Sequence, residues 1–218
     1  MPILRKILDR VQKAYGKPDG PPATDPFELI LYENIAYLAP DDRREAAFRA
    51  LREQAGSTPA EILRASPDAL HRAAKLGGIL AEHRVKKLLR AAQIAQEKFA
   101  GRVPNEKRAL KLFPSIGDPR AERILLFTKT QPVLALDSNG LRVLVRLGYG
   151  HGQTSYAATY RSAQQAAAAE IERDCGKLIR AHQLLRRHGQ KTCKNTAPRC
   201  VECVVSDLCR YYRDHECS

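Results

Sequence analysis

Four of the six cysteines fall in one short stretch, Cys193-x6-Cys200-x2-Cys203-x5-Cys209. Thiolates are soft donors, and four of them can hold a structural zinc ion or, one per iron, a [4Fe–4S] cluster. A pair of disulfides is the plainer alternative. The x2 spacing is a metal-clip geometry, however, and a reducing compartment disfavours oxidation. On the thiols alone, iron–sulfur and zinc stay equally open. Cys175 and Cys217 lie outside the pattern and are expected as a buried and a surface thiol. A second stretch with chemical potential is Leu112-Phe-Pro-Ser-Ile-Gly-Asp-Pro-Arg-Ala121, a glycine turn between two helical segments. Gly117 can take a positive φ, Asp118 can cap the next helix and Pro119 suits its first turn. The exposed amides of such a turn can hold a phosphate without reading bases, although an ordinary connection has the same composition. Two carboxylates complete the set. Asp137 stands where a helix over Ser138–Leu147 needs its N-cap. Glu33 has Leu29, Ile30, Ala36 and Tyr37 at i±3 and i±4. Such apolar company would raise its pKa and keep a proton available near neutrality; the alternative is a glutamate whose tip reaches water.

The elements that position these residues read as helix after helix, rich in Ala, Leu, Arg, Lys, Gln and Glu, with no convincing alternating strand. Ile3–Tyr15 is a first amphipathic helix, ended by Gly16-Lys-Pro-Asp-Gly-Pro-Pro. Asp25-Pro26 opens a second, with Asp as N-cap and Pro at the first helical position. Further helices are expected over Asp42–Gln54, Pro59–Ala65, Pro67–Leu76, Leu80–Ala100, Glu106–Leu112, Pro119–Thr128 and Ser138–Leu147. Ser155–Leu185 follows, broken near Asp174 to Gly176, with a short piece around Ser206–Tyr212. The class is all-α, with about ten helices. Lys and Arg number 37 against 24 Asp and Glu, a formal charge of +13. That excess predicts a polyanionic partner, nucleic acid ahead of an anionic membrane. No apolar run approaches the roughly 18–20 residues needed to span a bilayer. Met1-Pro-Ile-Leu-Arg-Lys lacks the apolar core of a secretory signal. The expected location is therefore the cytoplasm of a bacterium, or a nucleus or organelle otherwise.

The 6-2-5 cysteine spacing, with Leu178-Ile-Arg-Ala-His-Gln-Leu-Leu-Arg-Arg-His-Gly-Gln-Lys-Thr-Cys193 before it, resembles the cluster loop of endonuclease III and the mismatch-specific adenine glycosylases. Those are helix-hairpin-helix DNA glycosylases, and the likeness favours iron–sulfur over zinc. Around this loop, Cys175–Arg213 holds nine Lys or Arg against two Asp or Glu. Lys194 and Arg199 thus become candidate phosphate ligands, a solvated face being the alternative. Phe113-Pro-Ser-Ile-Gly-Asp-Pro-Arg-Ala121 is similar to the family's hairpin, Leu-Pro-Gly-Val-Gly-x-x-Thr-Ala, with Ser115 in place of the first glycine. The resemblance makes Ser115, Ile116, Gly117 and Arg120 candidate DNA contacts. Val133-Leu-Ala-Leu-Asp137-Ser-Asn resembles the stretch that carries the family's catalytic aspartate. Breaking an N-glycosidic bond builds positive charge on the sugar, and a carboxylate at Asp137 would stabilise it. Bifunctional members place a Schiff-base lysine where this chain has Pro119, which implies a monofunctional enzyme without lyase activity. Asp25-Pro-Phe-Glu-Leu-Ile-Leu-Tyr-Glu33 resembles the adenine glycosylase stretch that ends in a general acid, which makes Glu33 the candidate acid and tilts the substrate toward a purine. Tyr37 stands at the family's gap-filling glutamine, and Leu76-Gly-Gly-Ile79-Leu80 at its wedge, so Tyr37, Ile79 and Leu80 are candidates to fill the space left by a flipped base. Arg72, Lys75, Arg84, Lys86, Lys87 and Arg90 nearby are expected to meet phosphate or solvent. The implied architecture is two-lobed: a six-helix barrel over 23–132, with the hairpin at about 106–128, and a cluster lobe from 1–22 and 133–218, with duplex DNA crossing between them. The implied function is excision of a damaged or mismatched base from double-stranded DNA by a monomer. A non-catalytic or redox-responsive [4Fe–4S] DNA-binding protein is the alternative.

Overall fold

The computed structural model describes residues 2–37 and 39–215, so Cys217 lies outside the described residues. The helices are α1 (Ile3–Tyr15), α2 (Pro26–Ile35), α3 (Asp41–Ala55), α4 (Pro59–Arg64), α5 (Pro67–Leu76) and α6 (Ala81–Phe99). After them come α7 (Lys107–Leu110), α8 (Asp118–Phe127), α9 (Ser138–Leu147), α10 (Tyr156–Ala168), α11 (Cys175–Lys191) and α12 (Arg210–His215), with a 3₁₀ turn at Ser206–Leu208. Among the described residues the only β pairing is an isolated parallel bridge between Tyr37 and Gly78. The fold is all-α, and the chain divides into two compact units, Pro21–Thr130 and Met1–Gly20 with Gln131–Ser218.

Local chemistry sets the helix starts in the first of these units. The Asp25 carboxylate accepts from the Phe27 and Glu28 amides at 2.8 and 3.0 Å, and Pro26 occupies the first turn of α2. Thr58 and Glu61 form a reciprocal capping box at α4, and Ser66 caps α5. The helices α2 to α6 and α8 close around Ile30, Leu31, Ile35, Leu51, Ile62, Leu70, Leu88, Ile124 and Leu126, all nearly or fully inaccessible. Each such side chain contributes about 1.5–3 kcal/mol relative to exposure.

In the second unit α9 packs along α11, with α1 on α11 and α10 and α12 on α9. A Cβ at Gly189 would stand 2.8 Å from the Asn139 carbonyl oxygen, so only glycine lets α11 come this close to α9. The α1 face Leu4, Ile7, Leu8 and Val11 is buried, and the Leu4 amide donates to Glu170 at 2.8 Å.

Several expected bounds move. The piece expected over Glu106–Leu112 is the single turn α7. The break expected in Ser155–Leu185 near Asp174 to Gly176 is present, because Asp174 caps a new helix by accepting from the Lys177 amide at 2.8 Å. That helix runs on to Lys191, since nothing before Thr192 stops it and Gly189 is used as a contact. Leu80 is not helical: it precedes α6 in the left-handed region at φ 60°.

Candidate functional site

At the end of α11 the amides of Thr192 and Cys193 both donate to the His188 carbonyl, at 3.0 and 2.9 Å, which turns the chain into the cysteine loop. Cys193, Cys200, Cys203 and Cys209 all line one cavity, with Val143, Arg146, Leu147, His188, Val205 and Tyr211 among its other walls. The cavity is partly open to solvent. Among the described residues no three His, Cys, Asp or Glu side chains close on a single ion-sized point; the four thiols border a volume. Arg146 crosses this loop. Its guanidinium donates to the Cys193 sulfur at 3.4 Å and to the Lys194 and Asn195 carbonyls at 2.6 and 3.1 Å, and it lies over the Tyr211 ring at 4.7 Å. His188 reaches Cys203 Sγ through Nε2 at 3.6 Å and Tyr15 Oη through Nδ1 at 3.1 Å; burial pushes its pKa down to about 4. The ring is therefore neutral at ordinary pH, one nitrogen facing the Cys203 sulfur and the other the Tyr15 hydroxyl. Burial pushes the Cys203 and Cys209 thiols up, so thiolate there needs positive charge close by. Lys194 is half-buried through the bond from Arg146, whereas Arg199 is exposed. Cys175, expected to be buried, is half-buried as the first residue of α11.

Asp137 is the N-cap of α9. Its Oδ1 accepts from the Gly140 amide at 2.8 Å, and its Oδ2 takes Asn139 Nδ2 at 3.3 Å and an ion pair from Arg186 of α11. The carboxylate is 9% exposed. Arg142, one turn into α9, ties Asn139 to the loop by donating to Asn139 Oδ1, the Gly189 carbonyl and the Cys193 carbonyl at 2.8–2.9 Å. Arg186 was not visible among the candidates, yet a signal existed. It falls on the stripe His182, Leu185, Arg186, Gly189 that α11 turns inward, and an arginine on a buried stripe calls for a buried anion.

Glu33 requires a correction. It is 6% exposed, as its apolar neighbours suggest, but Arg123 of α8 grips it with two hydrogen bonds at 2.8 and 2.6 Å, and Arg120 Nε stands 3.4 Å from the same carboxylate. Burial pushes the Glu33 carboxyl up; the charges and hydrogen bonds of Arg123, with Arg120 and Arg44, more than offset it and leave the pKa below the usual value. Glu33 is thus ionised near neutrality and is not poised as a proton donor. The reading from i±4 neighbours saw only its own helix. Glu33 and Asp137 belong to different units.

The hairpin also departs from expectation. Gly117 is extended, with φ −92°, and the left-handed residue is Ser115, with φ 63°. Asp118 does not cap α8; it is the first helical residue and pairs with Lys111 at 2.9 Å and Lys107 at 3.6 Å. Ile116 turns its side chain into the core at 5% exposure, so only its backbone can face a ligand. Arg120 is half-buried, donating to the Ser115 carbonyl at 2.7 Å beside Glu33. Gly117 is exposed, and nothing lies within 4 Å of where its Cβ would be. The turn is anchored to α2 by Asn34 Nδ2, which donates to the Pro114 carbonyl at 3.0 Å.

The three wedge candidates do come together. The Tyr37 amide donates to the Gly77 carbonyl at 3.1 Å, which places Tyr37 beside the Gly77–Leu80 turn. Tyr37, Ile79 and Leu80 are 49%, 58% and 59% exposed, a concentration of apolar surface on one turn. Arg84, expected among the outward cations, is instead 2% exposed under this turn. It donates to the Ala74 and Gly78 carbonyls at 2.5 and 2.7 Å and thereby holds the turn to the end of α5.

No family model matches the chain. Its sequence is 26% identical to endonuclease III of Thermotoga maritima over 211 residues, covering 97% of this chain and 92% of the relative. It is 28% identical to endonuclease III of Escherichia coli over 188 residues, covering 86% and 85%. Among solved structures, a non-covalent endonuclease III–DNA complex superposes with a TM-score of 0.79 at 20% identity, covering 99% of this chain and 98% of that one. The fold is thus that of the endonuclease III-like helix-hairpin-helix proteins. In sequence and in fold the chain is therefore similar to the endonuclease III proteins, which are helix-hairpin-helix DNA glycosylases. No helix among the described residues is long and apolar enough to cross a membrane.

Proposed function

We propose that this chain is a monofunctional DNA glycosylase of base excision repair, acting as a cytoplasmic monomer on a damaged or mismatched base in duplex DNA. The observation that carries the reading is Asp137, a buried carboxylate fixed at the start of α9 by an amide and an amide side chain. As the base departs, positive charge grows on the deoxyribose, and a fixed carboxylate in a water-poor site stabilises it by several kcal/mol. Pro119 fills the position of the family's lysine and has no amine to attack C1′, so the product is an abasic site and the strand stays intact. Tyr37, Ile79 and Leu80 supply the apolar surface that fills the stack after base flipping. The exposed amides around Ser115 and Gly117, with Arg199, hold phosphate. An ionised Glu33 removes the proton donor on which a purine preference rested, so the proposal names no base.

Cys193, Cys200, Cys203 and Cys209 would hold a [4Fe–4S] cluster, one thiolate per iron. Four thiols around one cavity, with an N–H donor from Arg146 to the Cys193 sulfur and the His188 ring against Cys203, fit that group better than a single zinc ion. Bound there, the cluster would serve as the rigid cross-link of the basic loop.

The test is a panel of duplexes, each with one lesion or mismatch, assayed for free base. At least one should release base, Asp137→Asn should abolish release without loss of DNA affinity, and borohydride should trap no covalent adduct. Unimpaired release by Asp137→Asn refutes the assignment, and efficient trapping refutes the monofunctional claim. Iron and sulfide analysis with absorbance near 400 nm separates cluster from zinc. One observation favours a second reading, a DNA-binding protein without chemistry: both candidate carboxylates are engaged by arginines. An empty lesion panel with intact DNA binding would select it.

A further inference from the structure

Asp137 has two kinds of partner, and they differ in what they could do when DNA arrives. Gly140 N and Asn139 Nδ2 belong to the same helix start as Asp137 and hold the carboxylate from within its own cap. Arg186 comes from another helix, and its side chain is 25% exposed while that of Asp137 is 9% exposed. A guanidinium on the same oxygen cancels much of the field that the carboxylate would place on a cationic sugar. Gly140 N and Asn139 Nδ2 hold the carboxylate from its own helix, whereas Arg186 reaches it from another helix on a long, partly exposed side chain that can turn to a different anion. A flipped nucleotide brings a phosphodiester on each side of the sugar it offers to Asp137. Phosphate is a strong bidentate acceptor for guanidinium, so a phosphodiester beside that sugar would compete with Asp137 for Arg186.

We propose that Arg186 is an exchangeable counter-ion: it masks Asp137 in the free protein and moves to a phosphate of the extruded nucleotide, unmasking the carboxylate as substrate binds. The inference rests on the reading of Asp137 as the group facing the sugar. It makes Arg186 a DNA ligand and a positioning residue for the reaction, and it ties the strength of the catalytic field to occupancy by DNA.

The experiment measures affinity for a duplex with one tetrahydrofuran abasic-site analogue, by fluorescence anisotropy across a salt series, for the wild type, Arg186→Met, Asp137→Asn and the double variant. Loss of one phosphate contact should flatten the log K against log salt slope by about 0.9 in Arg186→Met, with binding weakened several-fold. Asp137→Asn frees Arg186 and should tighten binding several-fold in the wild-type background, with little or no gain where Arg186 is already methionine. A purely structural arginine would move melting temperature and leave the salt slope alone. An unchanged slope, or an Asp137→Asn effect of equal size in both backgrounds, overturns the exchange. Should Arg186→Met fail to fold, Arg186→Gln keeps a hydrogen bond without the charge and carries the same slope test. Wild-type protein that does not bind the duplex at all would sink the glycosylase reading itself, whereas binding without coupling sinks the counter-ion alone.

Discussion

Replacing Arg123 by methionine leaves the Glu33 carboxylate in a site with 5% side-chain exposure and removes both of its shortest hydrogen bonds. Breaking one side of a buried ion pair costs about 3–5 kcal/mol, because the remaining charge stays dehydrated. For a chain of this length that corresponds to a fall in Tm of roughly 6–20 °C. The loss must depend on pH in a definite direction. With Arg123 present, the Glu33 pKa is depressed, so its stabilising contribution is full above the unfolded carboxyl value and is lost as pH falls through the folded one. Without Arg123 the burial penalty has less opposition, the Glu33 pKa rises, and protonation relieves the stranded charge as pH falls. Both effects shrink the difference between variant and wild type in acid. Urea unfolding at pH 8 and pH 4.5 should therefore show a large gap at the higher pH and a small one at the lower. Glu33→Gln in the Arg123→Met background should recover most of the loss at pH 8. A deficit equal at both pH values, or one under about 1 kcal/mol at pH 8, would place this pair among ordinary surface bridges and refute the reasoning.

Three further outcomes follow from named contacts. Gly77→Ala sets a Cβ 2.2 Å from the Ile35 carbonyl oxygen, so it should lower stability by at least about 2 kcal/mol in urea melts and displace the Tyr37 turn. Ser115→Gly relieves a left-handed non-glycine residue at φ 63° and should raise stability by about 0.5–1 kcal/mol in the same assay. Thr58→Ala breaks the capping box at α4 and should cost about 1 kcal/mol, read from the denaturation midpoint.

What could be read in the sequence was what short-range chemistry decides. Asp25-Pro26 announces a helix start because cap and first-turn proline are adjacent in the chain, and the helices expected from Pro59 and Pro67 begin at those prolines. The cysteine spacing likewise gathers four thiols that do line one cavity. Partners brought from far away were out of reach. Arg123 lies ninety residues from Glu33 and Arg186 forty-nine from Asp137, so the electrostatics of both carboxylates were missed. Arg84 read as one more outward cation on a basic helix, since nothing local says that it turns beneath Gly78. The hairpin failed differently: the glycine was seen, but the left-handed conformation falls two residues earlier, on a serine.

The division of the second unit has a consequence for biosynthesis. Its first helix seals α11, yet the ribosome delivers the two more than a hundred and fifty residues apart. Meanwhile Pro21–Thr130 emerges as an uninterrupted stretch able to collapse by itself. Until α11 is made, Leu4, Ile7, Leu8 and Val11 lack their main native cover, so the nascent chain carries this apolar strip until its last third is synthesised.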